Sequence, residues 1–439
     1  MYDLVVVGSG PGGYVAAIRA AELGLKTACI EKDPKLGGTC LNVGCIPSKA
    51  LLYSSELYSR ACYKMKAYGI DVGSPRVDFD QMMKRKQGVV SGFNQGIETL
   101  FKMHKVDWIR GVAKLQGSKV FVDGKEVPSK WVLLATGSEP SPLPFLPFDE
   151  KKVLSSTGAL SLQKVPKKML VIGAGIIGVE LGSVYQRLGA EVTLIEFLDR
   201  ICPAFDGSLS TALQKSLGTQ GMKFHLSHKV LSAQVGSEVV LKTDKGDFQG
   251  DVVLVAVGRR PNSKDLSLDK DPKGFVRVDA SFRTSEPNVF AIGDLIDGPM
   301  LAHKASEEGT AVAEMLAGKS PSIDYATIPN VAYTDPEVAA VGFTEEELKQ
   351  RGISYVASQA SFKVNSRAKC TGEEEGFAKI LSEKSTGKIL GVHMIGPHVS
   401  ELIAEAVFAL KTRATKDELF HTCHAHPTLA EILKEAAAK

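Results

Sequence analysis

"YDLVVVGSGPGG", Tyr2–Gly13, and "KMLVIGAGIIG", Lys168–Gly178, are two copies of one pattern. Each is a short apolar run feeding a G-x-G-x-x-G, with Gly8, Gly10 and Gly13 in the first and Gly173, Gly175 and Gly178 in the second. A helix-like stretch follows each ("YVAAIRAAELGL", "VELGSVYQRLGA"), then a second run ending in an acid, "TACIE" at Glu31 and "VTLIE" at Glu196. Both acids lie 23 residues after the first glycine of their motif. One such glycine motif is a weak sign. Strand, glycines, helix, strand and acid, in order and twice at matched spacing, form the full context of a dinucleotide-binding α/β unit. The first glycine makes the turn, the second lets backbone approach a pyrophosphate, and the third lets helix and strand pack, while the helix N-terminus attracts phosphate. The terminal acid hydrogen-bonds ribose hydroxyls, so two dinucleotides are expected. A carboxylate at Glu196 repels a 2′-phosphate, which favours NAD over NADP, and the nearby Arg200 sits beside Asp199.

Around this repeat the chain reads as an ordinary globular protein. It has 439 residues, enough for about three domains, with 44% apolar and 23% charged residues and a net charge of +3. The near-balance gives no reason to expect a nucleic-acid or membrane partner, and no apolar run reaches the ~18 residues of a membrane span. The seven cysteines, Cys29, Cys40, Cys45, Cys62, Cys202, Cys370 and Cys423, are odd in number and mostly scattered. That pattern points to a reducing compartment, cytoplasm or alternatively mitochondrial matrix, rather than a secreted disulfide framework.

Further apolar runs end in glycine turns at Ala135, Thr136 and Gly137 ("WVLLATGSEP"), at Gly258 ("VVLVAVGRRPN") and at Gly293–Asp294 ("VFAIGDLIDG"). They read as backbone passing close to a nucleotide, with Asp294 facing sugar or ribityl hydroxyls. Residues 1–143 are expected to form the first nucleotide unit, ending in an antiparallel meander from "VDWIRG" to "WVLLATG". The Pro-rich "EPSPLPFLPFDE" reads as a linker. Residues 144–265 form the second unit with its own meander, 266–328 carry the Gly293–Asp294 turn and a helix, and 329–439 read as α+β.

"GGTCLNVGCIPSK", Gly37–Lys49, places Cys40 and Cys45 five residues apart. A structural zinc site needs four ligands in paired spacings, and no second pair exists. Two unrelated buried thiols are the plain alternative, and a redox disulfide is the favoured reading. Residues five apart in an ideal helix have Cα atoms ~8–9 Å apart, whereas a disulfide tolerates under ~7 Å. The pair is therefore expected at a helix start whose first turn is distorted, with Gly44 supplying the freedom. A helix N-terminus lowers thiol pKa, so the reduced pair is expected to be partly thiolate.

Taken together, "GSGPGGYVAAI", "GGTCLNVGCIPSKALL", "STGALSL", "VIGAGIIGVELGSV", "GRRPN", "AIGD", "GPMLAHKA", "SRAK" and "CHAHPTLAE" resemble the pyridine nucleotide–disulfide oxidoreductases along essentially the whole chain. "CLNVGCIPSK" and "HAHPTLAE" are specific to the branch that oxidises dihydrolipoamide; the glutathione and mercuric reductases share the architecture but match less well. The chain is shorter than usual for the family, in the two meanders and after Glu431, and Asp335 stands where a His is common.

The resemblance implies two Rossmann-like domains, for FAD and for NAD, and a C-terminal dimerisation domain. It places FAD at Gly8, Gly10, Gly13, Glu31, Lys49, Ala113, Thr136, Gly137, Asp294 and the backbone of Met300, Leu301, Ala302 and His303. It places NAD at Gly173, Gly175, Ile177, Gly178, Glu180, Glu196, Val230 and Gly258, with Lys49 and Glu180 paired beside the flavin. The cluster His421, Cys423, His424, His426 and Glu431 could bind metal or be solvated decoration. A thiol oxidoreductase, however, needs a base near neutral pH, and by resemblance His426 is that base, oriented by Glu431 and supplied by the other subunit of a homodimer.

The implied reaction is oxidation of protein-bound dihydrolipoamide with reduction of NAD+. Cys40 would exchange with substrate and Cys45 would face the flavin. The lipoyl carrier would be the E2 component of 2-oxoacid dehydrogenase complexes or the glycine cleavage H-protein. The competing readings are an NADPH-dependent disulfide reductase and a non-catalytic FAD/NAD-binding sensor.

Overall fold

The two glycine motifs fold alike. In the computed structural model, which describes all 439 residues, Tyr2–Val7 and Lys168–Ile172 are buried strands, followed by the helices Pro11–Glu22 and Ile176–Arg187. The helices are capped by Gly10 (φ −65°, ψ 179°) and Gly175 (φ −71°, ψ 179°), so the chain enters both in the same extended conformation. A Cβ on Gly13 would lie 1.8 Å from the Gly8 carbonyl oxygen, and one on Gly178 would lie 2.1 Å from that of Gly173. The third glycine of each motif is thus required by its first, because helix and turn touch without room for a side chain.

The chain divides into two compact units. One comprises residues 1–51, 80–141 and 258–323, the other residues 52–79, 142–257 and 324–439. In the first, five parallel strands run in the order Val289–Ala291, Ser129–Leu134, Tyr2–Val7, Thr27–Glu31, Asp107–Arg110. Their faces are covered on one side by helices, with Leu4, Val6, Ala16, Ala20 and Phe101 fully or nearly buried. On the other side lies a three-stranded antiparallel sheet, Ala113–Gln116, Lys119–Val122, Lys125–Val127. The expected meander is therefore these three strands alone. Its outer runs, Asp107–Arg110 and Ser129–Leu134, join the parallel sheet, since a continuous apolar run such as "WVLL" is buried on both faces.

The second unit repeats this plan. Its parallel sheet runs Lys223–His225, Glu191–Ile195, Lys168–Ile172, Val252–Val255, Val153–Leu154, and its antiparallel sheet is Val230–Val235, Val239–Thr243, Gly246–Gly250. A separate five-stranded antiparallel sheet runs Asn330–Ala332, Glu337–Gly342, Ile389–Gly396, Phe377–Glu383, Tyr355–Ser361. The helices Val399–Lys411 and Glu431–Ala437 bury Ile403, Ala406, Ile432 and Leu433 against it. Residues 52–79 group with this second unit. The Pro-rich segment is not wholly a linker: Ser138–Pro140 pairs antiparallel with Arg259–Pro261, Pro261 opposite Ser138. No helix is long and apolar enough to cross a membrane.

Candidate active site

Each nucleotide motif presents its acid in one fixed pose. Glu31, 6% exposed, accepts through Oε2 from the Ser9 amide (2.9 Å) and hydroxyl (2.6 Å), and through Oε1 from the Asp33 amide (2.9 Å). Glu196, 8% exposed, does the same with the amides of Ala174 (2.6 Å) and Leu198 (2.8 Å). One oxygen is tied to the residue after the first glycine and the other to the residue two beyond the acid. The second glycine of each motif, Gly10 and Gly175, has no atom within 4 Å of where a Cβ would stand. The backbone is bare there, as close approach of a diphosphate requires.

With Glu196 held by two amides, a phosphate beside it would meet a carboxylate that has no room to swing away. Glu196→Arg is expected to shift preference toward NADP+, read as the ratio of kcat/KM for the two nucleotides. Equal use of both by the unsubstituted protein would refute the argument.

The cysteines do not share a helix. Cys40 lies in the short helix Gly38–Val43 and Cys45 begins the helix Cys45–Tyr63, with Gly44 between them. The expected distorted first turn is thus a complete break. A Cβ on Gly44 would stand 2.8 Å from the Thr39 carbonyl oxygen and 3.2 Å from the Cys40 Cα, so only glycine lets the chain fold back this tightly. The short helix is pinned from outside by Asn94, 4% exposed, whose Nδ2 donates to the Leu36 carbonyl (2.7 Å) and to Asn42 Oδ1 (3.1 Å).

Both cysteines are thiols and half-buried, and they are hydrogen-bonded to each other. The expectation of a lowered thiol pKa fails at Cys40, whose thiol is pushed up by its hydrogen bond to Cys45 and then by burial, with Lys49 opposing. The hydrogen bond to Cys45 and burial favour the protonated form of Cys40. Gly44→Ala is expected to cost about 1–3 kcal/mol by forced contact and to slow disulfide formation. Thermal unfolding and thiol titration after air exposure read both effects, and unchanged reoxidation would show that the break is dispensable.

The turn bearing Asp294 is held from beneath by a buried ion pair. Glu308 (0% exposed) accepts from the Gly293 amide at 2.7 Å, Lys304 (1% exposed) donates to the Gly293 carbonyl at 3.1 Å, and the two side chains lie 3.2 Å apart. Thr136 and Asn262 cross-link the segments flanking the paired Ser138–Pro140 and Arg259–Pro261, Thr136 Oγ1 donating to the Asn262 carbonyl (3.1 Å) and Asn262 Nδ2 to that of Thr136 (2.8 Å). Sequence reasoning left Ser9, Asn94, Lys304 and Glu308 without roles. The only sequence signal was the first, a hydroxyl inside "GSG" where the second motif has "GAG".

The remaining residues divide between the two units. Gly8, Gly10, Gly13, Glu31, Cys40, Cys45, Lys49, Ala113, Thr136, Gly137, Gly258, Asp294 and Met300–His303 belong to the first. Gly173, Gly175, Ile177, Gly178, Glu180, Glu196, Val230, His426 and Glu431 belong to the second. There Glu180, 3% exposed, accepts from the Tyr333 amide at 2.9 Å.

His426 Nδ1 lies 2.9 Å from Glu431 Oε1, and Glu431 Oε2 accepts from the Thr428 amide at 2.8 Å. A carboxylate on Nδ1 fixes the proton there and leaves Nε2 free to act as a base. The Thr428 amide holds the Glu431 carboxyl below its usual range against the opposing effect of burial, with His426 adding to the lowering. His424 belongs to another pairing, its Nε2 2.9 Å from Glu405 Oε1, and His421 lies 3.5 Å from Asp417. Cys423 is exposed, and no group of three or more His, Cys, Asp or Glu side chains is arranged to hold a metal ion.

The family model of the pyridine nucleotide-disulphide oxidoreductases matches residues 2–309, and that of their dimerisation domain residues 328–437. The chain belongs to the pyridine nucleotide-disulphide oxidoreductases. Among family members, dihydrolipoyl dehydrogenase 1, mitochondrial, of Arabidopsis thaliana is 49% identical over 453 residues, covering 99% of this chain and 89% of the relative. Dihydrolipoyl dehydrogenase 3 of Pseudomonas putida is 50% identical over 455 residues, covering 99% and 97%. The crystal structure of LpdA from Mycobacterium tuberculosis has a TM-score of 0.91 at 26% identity, covering 99% of each chain. This is the family's fold, two Rossmann-like sheets with a C-terminal dimerisation domain.

Proposed function

We propose that the chain is a dihydrolipoyl dehydrogenase, an FAD- and NAD-dependent oxidoreductase that converts dihydrolipoamide to lipoamide and NAD+ to NADH. The observation that carries this is the full-length identity to dihydrolipoyl dehydrogenases of a plant and a bacterium. The paired Cys40 and Cys45 and the His426–Glu431 dyad give that identity its chemistry.

His426 Nε2 takes the proton of a substrate thiol, and Glu431 holds the ring for it. The thiolate attacks Cys40 of the oxidised pair, Cys45 leaves as thiolate, and the second substrate thiol displaces Cys40 to release the cyclic disulfide. A bound FAD would supply the two-electron redox chemistry between the dithiol and NAD+. FAD would be held by Gly8, Gly10, Gly13, Glu31, Lys49, Ala113, Thr136, Gly137, Asp294 and Met300–His303. NAD would be held by Gly173, Gly175, Ile177, Gly178, Glu180, Glu196, Val230 and Gly258.

The division into 1–143, 144–265, 266–328 and 329–439 follows the same reading. The protein works as a homodimer in which His426 serves the partner's cysteines. Its substrate is the lipoyl group of an E2 or H-protein, and its place is the cytoplasm, with the mitochondrial matrix as the alternative. The clamped Glu196 disfavours an NADPH-dependent reductase.

A visible spectrum of the purified protein, with a dihydrolipoamide/NAD+ assay beside NADPH-driven disulfide reduction, tests the reading. A yellow protein reducing NAD+ with dihydrolipoamide is expected; a colourless protein, or one active only with NADPH, would end it.

A further inference from the structure

The loop that carries His426 is tied at both ends. Upstream, the Thr422 carbonyl accepts from Lys434 Nζ at 3.2 Å, and the buried side chain of His424 spans from that carbonyl to Glu405. Downstream the tie is Asn365, from "VNSRAK", which is 0% exposed. Its Oδ1 accepts from the Ala368 amide at 3.0 Å and caps the helix Ser366–Thr371. A backbone N–H needs an acceptor, so that contact fixes which end of the carboxamide is oxygen. The other end, Nδ2, donates to the Thr428 carbonyl at 3.2 Å. Glu435, one turn beyond Glu431, hydrogen-bonds the same side chain.

Thr428 is thereby bonded through both of its backbone groups. Its carbonyl accepts from Asn365, and its amide donates to Glu431 Oε2 at 2.8 Å. Glu431 Oε1 in turn lies 2.9 Å from His426 Nδ1. The His426 side chain is 68% exposed, so packing does little to direct the ring, and the polar chain through Glu431 and Thr428 has to. We propose that Asn365 is a positioning residue for the base: it holds Thr428, and through Thr428 and Glu431 it sets the direction of His426 Nε2. Capping alone does not account for this side chain. Ser and Asp cap a helix as well as Asn does. The carboxamide adds two N–H groups that stay neutral when buried and donate away from the helix being capped.

The inference rests on the reading of His426 as the base, so His426→Gln is measured beside it. Asn365→Ser and Asn365→Asp both keep a capping oxygen and both lose the donor to Thr428. Ser ends one bond short of it, and Asp sets an oxygen against its carbonyl. The holoenzyme is assayed for dihydrolipoamide oxidation by NAD+ and, separately, for NADH oxidation by an artificial acceptor.

Both variants are expected to lose roughly tenfold in kcat with dihydrolipoamide, since misdirecting a reacting group by about 1 Å costs on the order of 10²-fold. The KM for NAD+ and the acceptor rate are expected near native. Added to Glu431→Gln, Asn365→Ser is expected to change kcat by no more than about twofold, because both substitutions act on one contact. Native kcat with dihydrolipoamide in the Asn365 variants overturns the proposal. So does a parallel fall in acceptor reduction, which marks a residue serving the whole subunit, or losses that multiply in the double variant. If Asn365→Ser does not fold, Asn365→Asp carries the same comparisons. Full dihydrolipoamide oxidation by His426→Gln overturns the reading of the base, and this inference with it. Loss in His426→Gln beside native rates in the Asn365 variants overturns this inference alone.

Discussion

His426→Gln is expected to lose roughly 10²–10⁴-fold in dihydrolipoamide oxidation, the usual worth of a positioned base. A substrate thiol has a pKa well above 7, as free thiols do near ~8.5, so little of it is nucleophilic until a proton is removed. The imidazole is half of a prepared device: Glu431 sits 2.9 Å from Nδ1 and is itself held by the Thr428 amide. Reactions that bypass thiol deprotonation should be spared, so NADH oxidation by an artificial acceptor is expected near the native rate. Glu431→Gln keeps the shape but not the charge and should lose less. If acceptor reduction falls in parallel with dihydrolipoamide oxidation, the residue is structural and the assignment fails.

Replacing either cysteine should abolish turnover with dihydrolipoamide, because a lone thiol cannot form and re-form the disulfide. The two substitutions should differ spectroscopically. Cys40→Ser leaves the sulfur beside the flavin and should retain long-wavelength absorbance; Cys45→Ser should lack it. A band surviving in Cys45→Ser reverses the order of the pair. Mixing inactive His426→Gln with inactive Cys45→Ser subunits then asks where the base comes from. If the partner supplies it, each heterodimer contains one site with both cysteines and a histidine, and activity returns. A mixture that stays inactive while heterodimers are shown to form would place the base in its own chain.

Much of this was legible because it is local. The glycine, helix and acid of each motif lie within about 25 residues of one another, and the physics of phosphate approach dictates their types. The His426–Glu431 dyad is equally short-range, five residues apart across Pro427. What escaped is long-range or set by exclusion. Asn365 and Thr428 are 63 positions apart, and Asn94 and Leu36 are 58 apart, so no spacing rule reaches them. The break at Gly44 was read as a distorted turn because the contacts that force it, with the Thr39 carbonyl and Cys40 Cα, exist only after folding. The edge strand Tyr355–Ser361 buries Ser358 and Ala360 and exposes Val356, Ala357 and Gln359, so it offers little apolar pattern to find. The outer runs of the first meander were given to the wrong sheet because sheet membership is decided by burial on both faces, not by alternation.

The clamping of Glu31 and Glu196 by backbone amides has a bearing on turnover. A free glutamate side chain gives up about 1.5–2 kcal/mol of rotational freedom when it is ordered. Here that loss is incurred once, when the chain folds. With FAD at Glu31, as proposed, the saving is a matter of affinity. With NAD+ at Glu196, as proposed, it recurs, because the nucleotide must arrive and depart in every turnover. A receptor that is already rigid neither searches for its partner nor relaxes after losing it, so the exchange of one nucleotide for the next proceeds without a rearrangement of the site.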